Sequence, residues 1–158
     1  MTADGTSDNR LDSFPVRAQV PTRWADNDMY GHLNNAVYYQ LFDTVINGWL
    51  AERVGGSPAD AQIQGVVAES SCRFLAEVGF PDPVIVGLRV ERLGTSSVTY
   101  ALGLFRDETE PVLAALGRWV HVYVDAKARR SVPIPPQIRA ALTTLLATDG
   151  TSQSTEQA

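Results

Sequence analysis

The chain has 158 residues, 44% hydrophobic and 20% charged, with a formal net charge of −5 and a sequence pI near 4.9. That size suits one domain around one core. The acidic balance argues against a general binder of nucleic acid or anionic membranes, which need a basic surface. A small anionic ligand needs only a local basic patch and stays open. The single cysteine, Cys72, permits neither an intrachain disulfide nor a thiolate metal cluster. A reducing, cytoplasmic setting is therefore expected. No basic segment followed by an apolar core opens the chain, and no apolar run reaches ~18 residues.

Residues 1–13 are polar and without hydrophobic periodicity, so they read as a flexible tail. Between Phe14 and Thr22, Val16, Ala18 and Val20 alternate with Arg17 and Gln19, the pattern of a short strand. A polar turn follows, and with Asn34 or Asn35 as N-cap the segment to about Arg53 reads as a helix. Its polar residues, Gln40, Asp43 and Asn47, form one thin stripe, and the rest of the circumference is largely apolar. Such a helix is normally surrounded by other structure. At ~1.5 Å per residue it spans roughly 28 Å, enough to cross a small domain. Gly55-Gly56-Ser57-Pro58 ends it.

Four strands are expected next, over Ile63–Leu75, Val84–Leu93, Ser97–Phe105 and Val112–Asp125. Gly94-Thr95-Ser96 and Asp107–Glu110 supply tight turns. A basic knot of Lys127, Arg129 and Arg130 follows, then Pro136 near the start of a short helix to about Leu146, and a polar tail over 148–158. Residues 14–147 thus form one α+β domain. Short turns favour antiparallel neighbours, and a sheet of about five strands curled around the long helix satisfies both patterns. One such sheet leaves an edge and apolar surface uncovered, so a homodimer, or a tetramer, is the expected remedy.

The chemistry gathers in Arg23-Trp24-Ala25-Asp26-Asn27-Asp28-Met29-Tyr30-Gly31-His32-Leu33-Asn34-Asn35-Ala36-Val37-Tyr38-Tyr39. Two carboxylates, one of two histidines and two asparagines lie where helix-start amides are unpaired and can bind anions or polarised carbonyls. A calcium loop begins similarly, but Tyr30 and Val37 stand where an oxygen ligand and a bidentate glutamate are required. No metal or cofactor is expected.

Asp-x-Asp-x-x-Gly-His-x-Asn-Asn opening the helix, in this strand–helix–strands order, resembles the hotdog-fold thioesterases. Within them it is similar to the branch of 4-hydroxybenzoyl-CoA and bacterial short-chain acyl-CoA thioesterases. The resemblance covers roughly residues 15–146, with weaker echoes in Phe80-Pro81-Asp82 and Gly94-Thr95-Ser96-Ser97. It implies a hotdog fold, hydrolysis of an acyl-CoA, Asp28 as the catalytic carboxylate and the backbone amide of Asn35 as the polarising donor. Plant-type acyl-carrier-protein thioesterases share an Asp-x-Asp…His-x-Asn-Asn stretch. His32 matches their histidine, but Tyr30 stands where they use asparagine.

The chemistry of a thioester agrees. Its leaving thiol, with a pKa near ~8.5, departs without much protonation, so a base or nucleophile plus an oxyanion site suffices. Against this, Asp28 can be read as merely capping the turn. Asp26 reads as shaping the turn or pairing with Arg23, and His32 as orienting a water or holding the loop. Tyr30 and Gly31, between the aspartate and the histidine, are candidate substrate contacts. Glu69 can face the helix start or solvent. His121 reads as a packed residue, and Cys72 as unreactive. For the phosphates of coenzyme A, Lys127, Arg129 and Arg130 are the best basic cluster and Arg89 with Arg92 a second. The amides and hydroxyls of Thr95, Ser96 and Ser97 can touch pantetheine or phosphate. An acyl-carrier-protein thioesterase and a non-catalytic acyl-CoA-binding hotdog are the rivals.

Overall fold

The computed structural model describes residues 8–55 and 58–146. The expected tail over 148–158 and the first part of that over 1–13 lie outside them. Five strands build one antiparallel sheet: β1 (Val16–Val20), β2 (Ile63–Phe74), β3 (Val84–Leu93), β4 (Ser97–Arg106) and β5 (Val112–Asp125). Their order across the sheet is β1-β3-β4-β5-β2. The long helix α1 (Asn35–Val54) lies against one face, and α2 (Pro136–Thr143) packs beside it. Among the described residues no helix is long and apolar enough to cross a membrane.

Strand alternation makes the core. Val84, Val86, Leu88 and Val90 of β3 are fully buried on the helix side, each contributing about 1.5–3 kcal/mol. Phe42 of α1 is also fully buried. Its ring lies so close to Gly117 that a Cβ there would sit 2.6 Å from it. Tyr39 and Phe42 meet the Trp119 ring at 5.7 and 6.5 Å between centroids. The helix thus buries Val37, Tyr38, Phe42, Val45, Ile46 and Trp49. It is less enclosed than its composition implied, because Gln40, Thr44, Asn47, Gly48 and Ala51 remain exposed along one side.

The outer face of the sheet carries an arrangement that periodicity did not signal. Phe14 sits on Gly87 and Gly103, where any Cβ would strike its ring. Arg89 lies over that ring at 4.5 Å. Its guanidinium donates to the Asp8 carbonyl (2.6 Å), the Ser13 hydroxyl (2.9 Å) and the Asn9 side chain (3.2 Å). Residues 8–13, read above as tail, are therefore held in a 3₁₀ turn (Leu11–Ser13) against the sheet. Arg89 is 4% exposed and committed to that task, so it leaves the list of phosphate-binding candidates. A buried guanidinium needs such acceptors to offset its desolvation.

Candidate active site

The turn before α1 is built from its own polar side chains. Asp26 is buried and receives the Arg23 backbone amide on Oδ2 (2.8 Å) and the guanidinium on Oδ1 (2.8 and 3.1 Å). Those hydrogen bonds from Arg23 hold its carboxyl below the ordinary value of 3.8, against the opposing effect of burial. Asp26 thus shapes the turn. A folded pKa below the unfolded one gives stability that is complete above about pH 4 and lost as pH falls through the folded value. Asp26→Asn is therefore expected to melt below wild type at neutral pH, and the gap to close in acid. Thermal melts from pH 7 to pH 2 measure it.

Asn34 caps α1, its Oδ1 accepting from the Ala36 amide at 2.9 Å while its carbonyl accepts from Val37 at 2.9 Å. Its own amide donates to the Asp26 carbonyl (2.8 Å), and the Leu33 amide to Val78 (2.6 Å). That leaves Asn35: among the described residues its backbone amide has no acceptor. It is the helix-start donor that the surrounding turn does not consume.

Asp28 lies on the same loop, seven residues before Asn35. Its Oδ1 accepts from the amides of Tyr30 (2.8 Å) and His32 (3.1 Å), and its own amide donates to the His32 carbonyl at 2.7 Å. The turn-capping reading is thus realised, but on one oxygen. Oδ2 accepts no hydrogen bond from the described residues and is free for chemistry. Gly31 allows the turn with φ +78°, and its carbonyl packs where a side chain at Gly79 would stand. The Asn27 side chain ties the loop down by accepting from the Phe80 amide at 2.9 Å. Hence Phe80-Pro81-Asp82, distant in sequence, borders the motif.

His32 approaches Glu77 with Nε2 3.4 Å from Oε2, both side chains well exposed. Glu77 was not anticipated, since a lone acidic residue in a loop carries no pattern. Tyr38 of α1 is buried, its ring meeting Phe74 edge-on at 4.9 Å. Burial, with smaller contributions from Cys72 and Asp28, raises its phenol pKa. Burial pushes the Cys72 thiol up to about 11, which keeps it protonated and unreactive. Glu69 pairs with Arg118 at 2.9 Å on exposed strand surface and does not join Asp28.

Asp28, Tyr30, Gly31, His32 and Asn35 are thus brought together. Ser96, Ser97, Lys127, Arg129 and Arg130 are not. They sit where β4 begins and β5 ends, whereas the turn adjoins the start of β3 and the end of β4. Ten residues at ~3.3 Å separate these ends by about 30 Å. At the far end, Asp125 caps a turn through the Lys127 and Ala128 amides (2.9 and 2.7 Å), with Arg129 at φ 55°. Arg139 of α2, not anticipated either, holds the carbonyls of Gly94 and Thr95. The three basic side chains of the knot are exposed.

A family model describing the thioesterase-like superfamily matches residues 22–142, most of the chain and all of the loop just described. The chain belongs to the thioesterase-like superfamily. Its sheet and packed helix are the hotdog fold that the motif implied. The PA5185 protein of Pseudomonas aeruginosa is 43% identical, with 87% of this chain and 96% of that one aligned at a TM-score of 0.82. A thioesterase of Thermus thermophilus, solved with coenzyme A and zinc, is 28% identical over 85% of this chain and 96% of its own, with a TM-score of 0.73. The Bacillus subtilis protein YsmA is 26% identical over 87 residues, 55% of this superfamily member and 58% of YsmA. The chain thus spans somewhat over half the length of that relative.

Proposed function

We propose that the protein hydrolyses acyl-CoA thioesters to the free acid and coenzyme A. The observation that carries this reading is the pairing, in one loop, of an uncommitted carboxylate oxygen (Asp28 Oδ2) with an unspent helix-start amide (Asn35). Asp28 either attacks the thioester carbon, forming a mixed anhydride that water then cleaves, or takes a proton from the water that attacks. In both routes the carbonyl oxygen gains negative charge in the tetrahedral intermediate, and the Asn35 amide with the helix dipole stabilises it. The carbon–sulfur bond then breaks and the thiolate leaves. His32 supports the loop, its amide on Asp28 and its ring toward Glu77.

The active form in this reading is a homodimer. β2 is a twelve-residue strand at the sheet edge, with Val67, Phe74 and Leu75 each 47% exposed. An unpaired edge of that length with apolar residues invites another strand. Two-fold pairing of β2 with β2 runs antiparallel. It turns the Phe74 end of one copy, beside Asp28, toward the Ile63 end of the other, beside Ser96, Ser97, Lys127, Arg129 and Arg130. The basic knot then offsets the phosphates of a coenzyme A whose thioester lies at the other copy's Asp28. The two groups of site residues, separate in one chain, meet across the axis.

Thiol release from a broad panel of acyl-CoA esters, each matched by an acyl-carrier-protein ester, tests the function. Enzyme-dependent release from CoA esters is expected. A preference for the carrier protein that vanishes when its docking surface is charge-reversed would favour the carrier-protein reading. Saturable CoA-ester binding without release across chain lengths and aryl groups would overturn hydrolysis altogether.

A further inference from the structure

The turn that carries Asp28 does not stand alone. Asn27 and Leu33 face each other in an antiparallel bridge, which closes residues 28–32 into a short loop with Asp28 at its start. Both ends of that loop are fastened to the connection between β2 and β3, residues 75–83. The Asn27 side chain accepts from the Phe80 amide at 2.9 Å, and the Leu33 amide donates to the Val78 carbonyl at 2.6 Å. Between these two ties lies Gly79. A Cβ placed on it would collide with the carbonyl oxygen of Gly31 and stand 3.6 Å from Asn27 Oδ1. The backbone of one loop therefore rests on the backbone of the other, inside the turn that holds Asp28.

The connection is the firmer of the two partners. Val78 is 1% exposed, the Gly79 carbonyl accepts from the Asp82 amide at 2.9 Å, and the Asp82 carbonyl accepts from the Thr22 hydroxyl at 2.8 Å. Gly31 and Tyr30, by contrast, are exposed, so the turn has room to rise. A side chain at position 79 therefore lifts Gly31 instead of displacing the loop beneath it. Ordinary carbon–oxygen contact begins near ~3.3 Å, which sets the lift at about an ångström. Gly31 stands between Tyr30 and His32, whose amides hold Asp28 Oδ1 at 2.8 and 3.1 Å. Raising it draws both donors away and turns the free Oδ2. We propose that Gly79 is a positioning residue: the lack of a side chain there sets where Asp28 Oδ2 stands relative to the Asn35 amide. This rests on the reading of Asp28 as the reacting carboxylate. A misplacement of about 1 Å caused by a residue remote from the chemistry can cost ~10²-fold in rate.

The test sets Gly79→Ala beside wild type and Asn27→Ala, which loosens the same support by removing the tie to Phe80 without adding volume. With the acyl-CoA ester that wild type cleaves fastest, kcat and kcat/KM are expected to fall together in Gly79→Ala, by about 10²-fold. Asn27→Ala should lose less. A second readout needs no turnover: the amide proton and nitrogen-15 signals of Tyr30 and His32, which mark their bonds to the Asp28 carboxylate. Both are expected to move in Gly79→Ala toward their positions in Asp28→Ala, while the Ala36 signal, which reports the Asn34 cap, stays in place. Undiminished kcat in Gly79→Ala overturns the proposal. So does a loss of kcat with the Tyr30 and His32 signals unmoved, which would mean that Gly79 serves the fold as a whole. If Gly79→Ala does not fold, Asn27→Ala decides by the same two readouts. If wild type cleaves no CoA ester, the hydrolase reading falls, and the amide signals alone decide whether Gly79 holds Asp28 in place.

Discussion

Asp28→Asn is expected to lower kcat for acyl-CoA hydrolysis by about 10²–10⁴-fold while leaving the fold intact. The asparagine keeps the shape of the carboxylate and an oxygen that can accept from the Tyr30 and His32 amides, so the turn survives. What it loses is the charge, and with it the lone pair that attacks carbon or takes the proton. Asp28→Ala removes the acceptor as well, so its loss mixes chemistry with the stability of the turn. Thermal melting of both variants separates the two. If both retain near wild-type kcat and remain folded, Asp28 is not the catalyst. Single turnover in heavy-oxygen water then tests the covalent route: label entering Asp28 identifies a mixed anhydride opened by water at the aspartyl carbon.

Mixed dimers are expected to regain activity that neither parent has. A chain with Asp28→Asn keeps its basic knot, and one with Lys127, Arg129 and Arg130 all changed to alanine keeps its carboxylate. If each site takes Asp28 from one copy and the knot from the other, a heterodimer holds one intact site and one doubly broken site. Random exchange makes half the dimers heterodimers, so roughly a quarter of the sites are restored. Unfolding and refolding the two variants together, followed by thiol release at subsaturating CoA ester, measures this. Activity equal to the average of the parents at every mixing ratio would mean that each chain binds its substrate alone.

Much of the fold was legible because burial imposes a period. The ends of β3 and β5 agree with their alternation, Val84–Leu93 and Val112–Asp125, and Asn34 caps α1 by the side-chain bond that its residue type favours. The second helix ends at Thr143, short of Leu146, and just past it the Leu145 carbonyl accepts from the Val90 amide at 2.8 Å. No local pattern carries that long-range partner. Arg89 misled for a related reason: an arginine serving residues 8–13 and one serving a phosphate look alike in a string of letters. The order β1-β3-β4-β5-β2 was likewise hidden, and with it the distance between Asp28 and Lys127. Nearness in space belongs to the order of strands in the sheet, not to the spacing of residues along the chain.

The cap at the start of α1 bears on which substitutions this protein can absorb. Asn34 takes up the Ala36 and Val37 donors, and the Asp26 carbonyl takes Asn34's own, so the amide left unspent belongs to Asn35. Position 35 is then nearly anonymous: any amino acid that begins a helix presents the same hydrogen. Proline is the exception, since it suits the first position of a helix yet carries no N–H. The proposed oxyanion donor is thus a site that identity comparisons overlook, marked by the one residue it excludes.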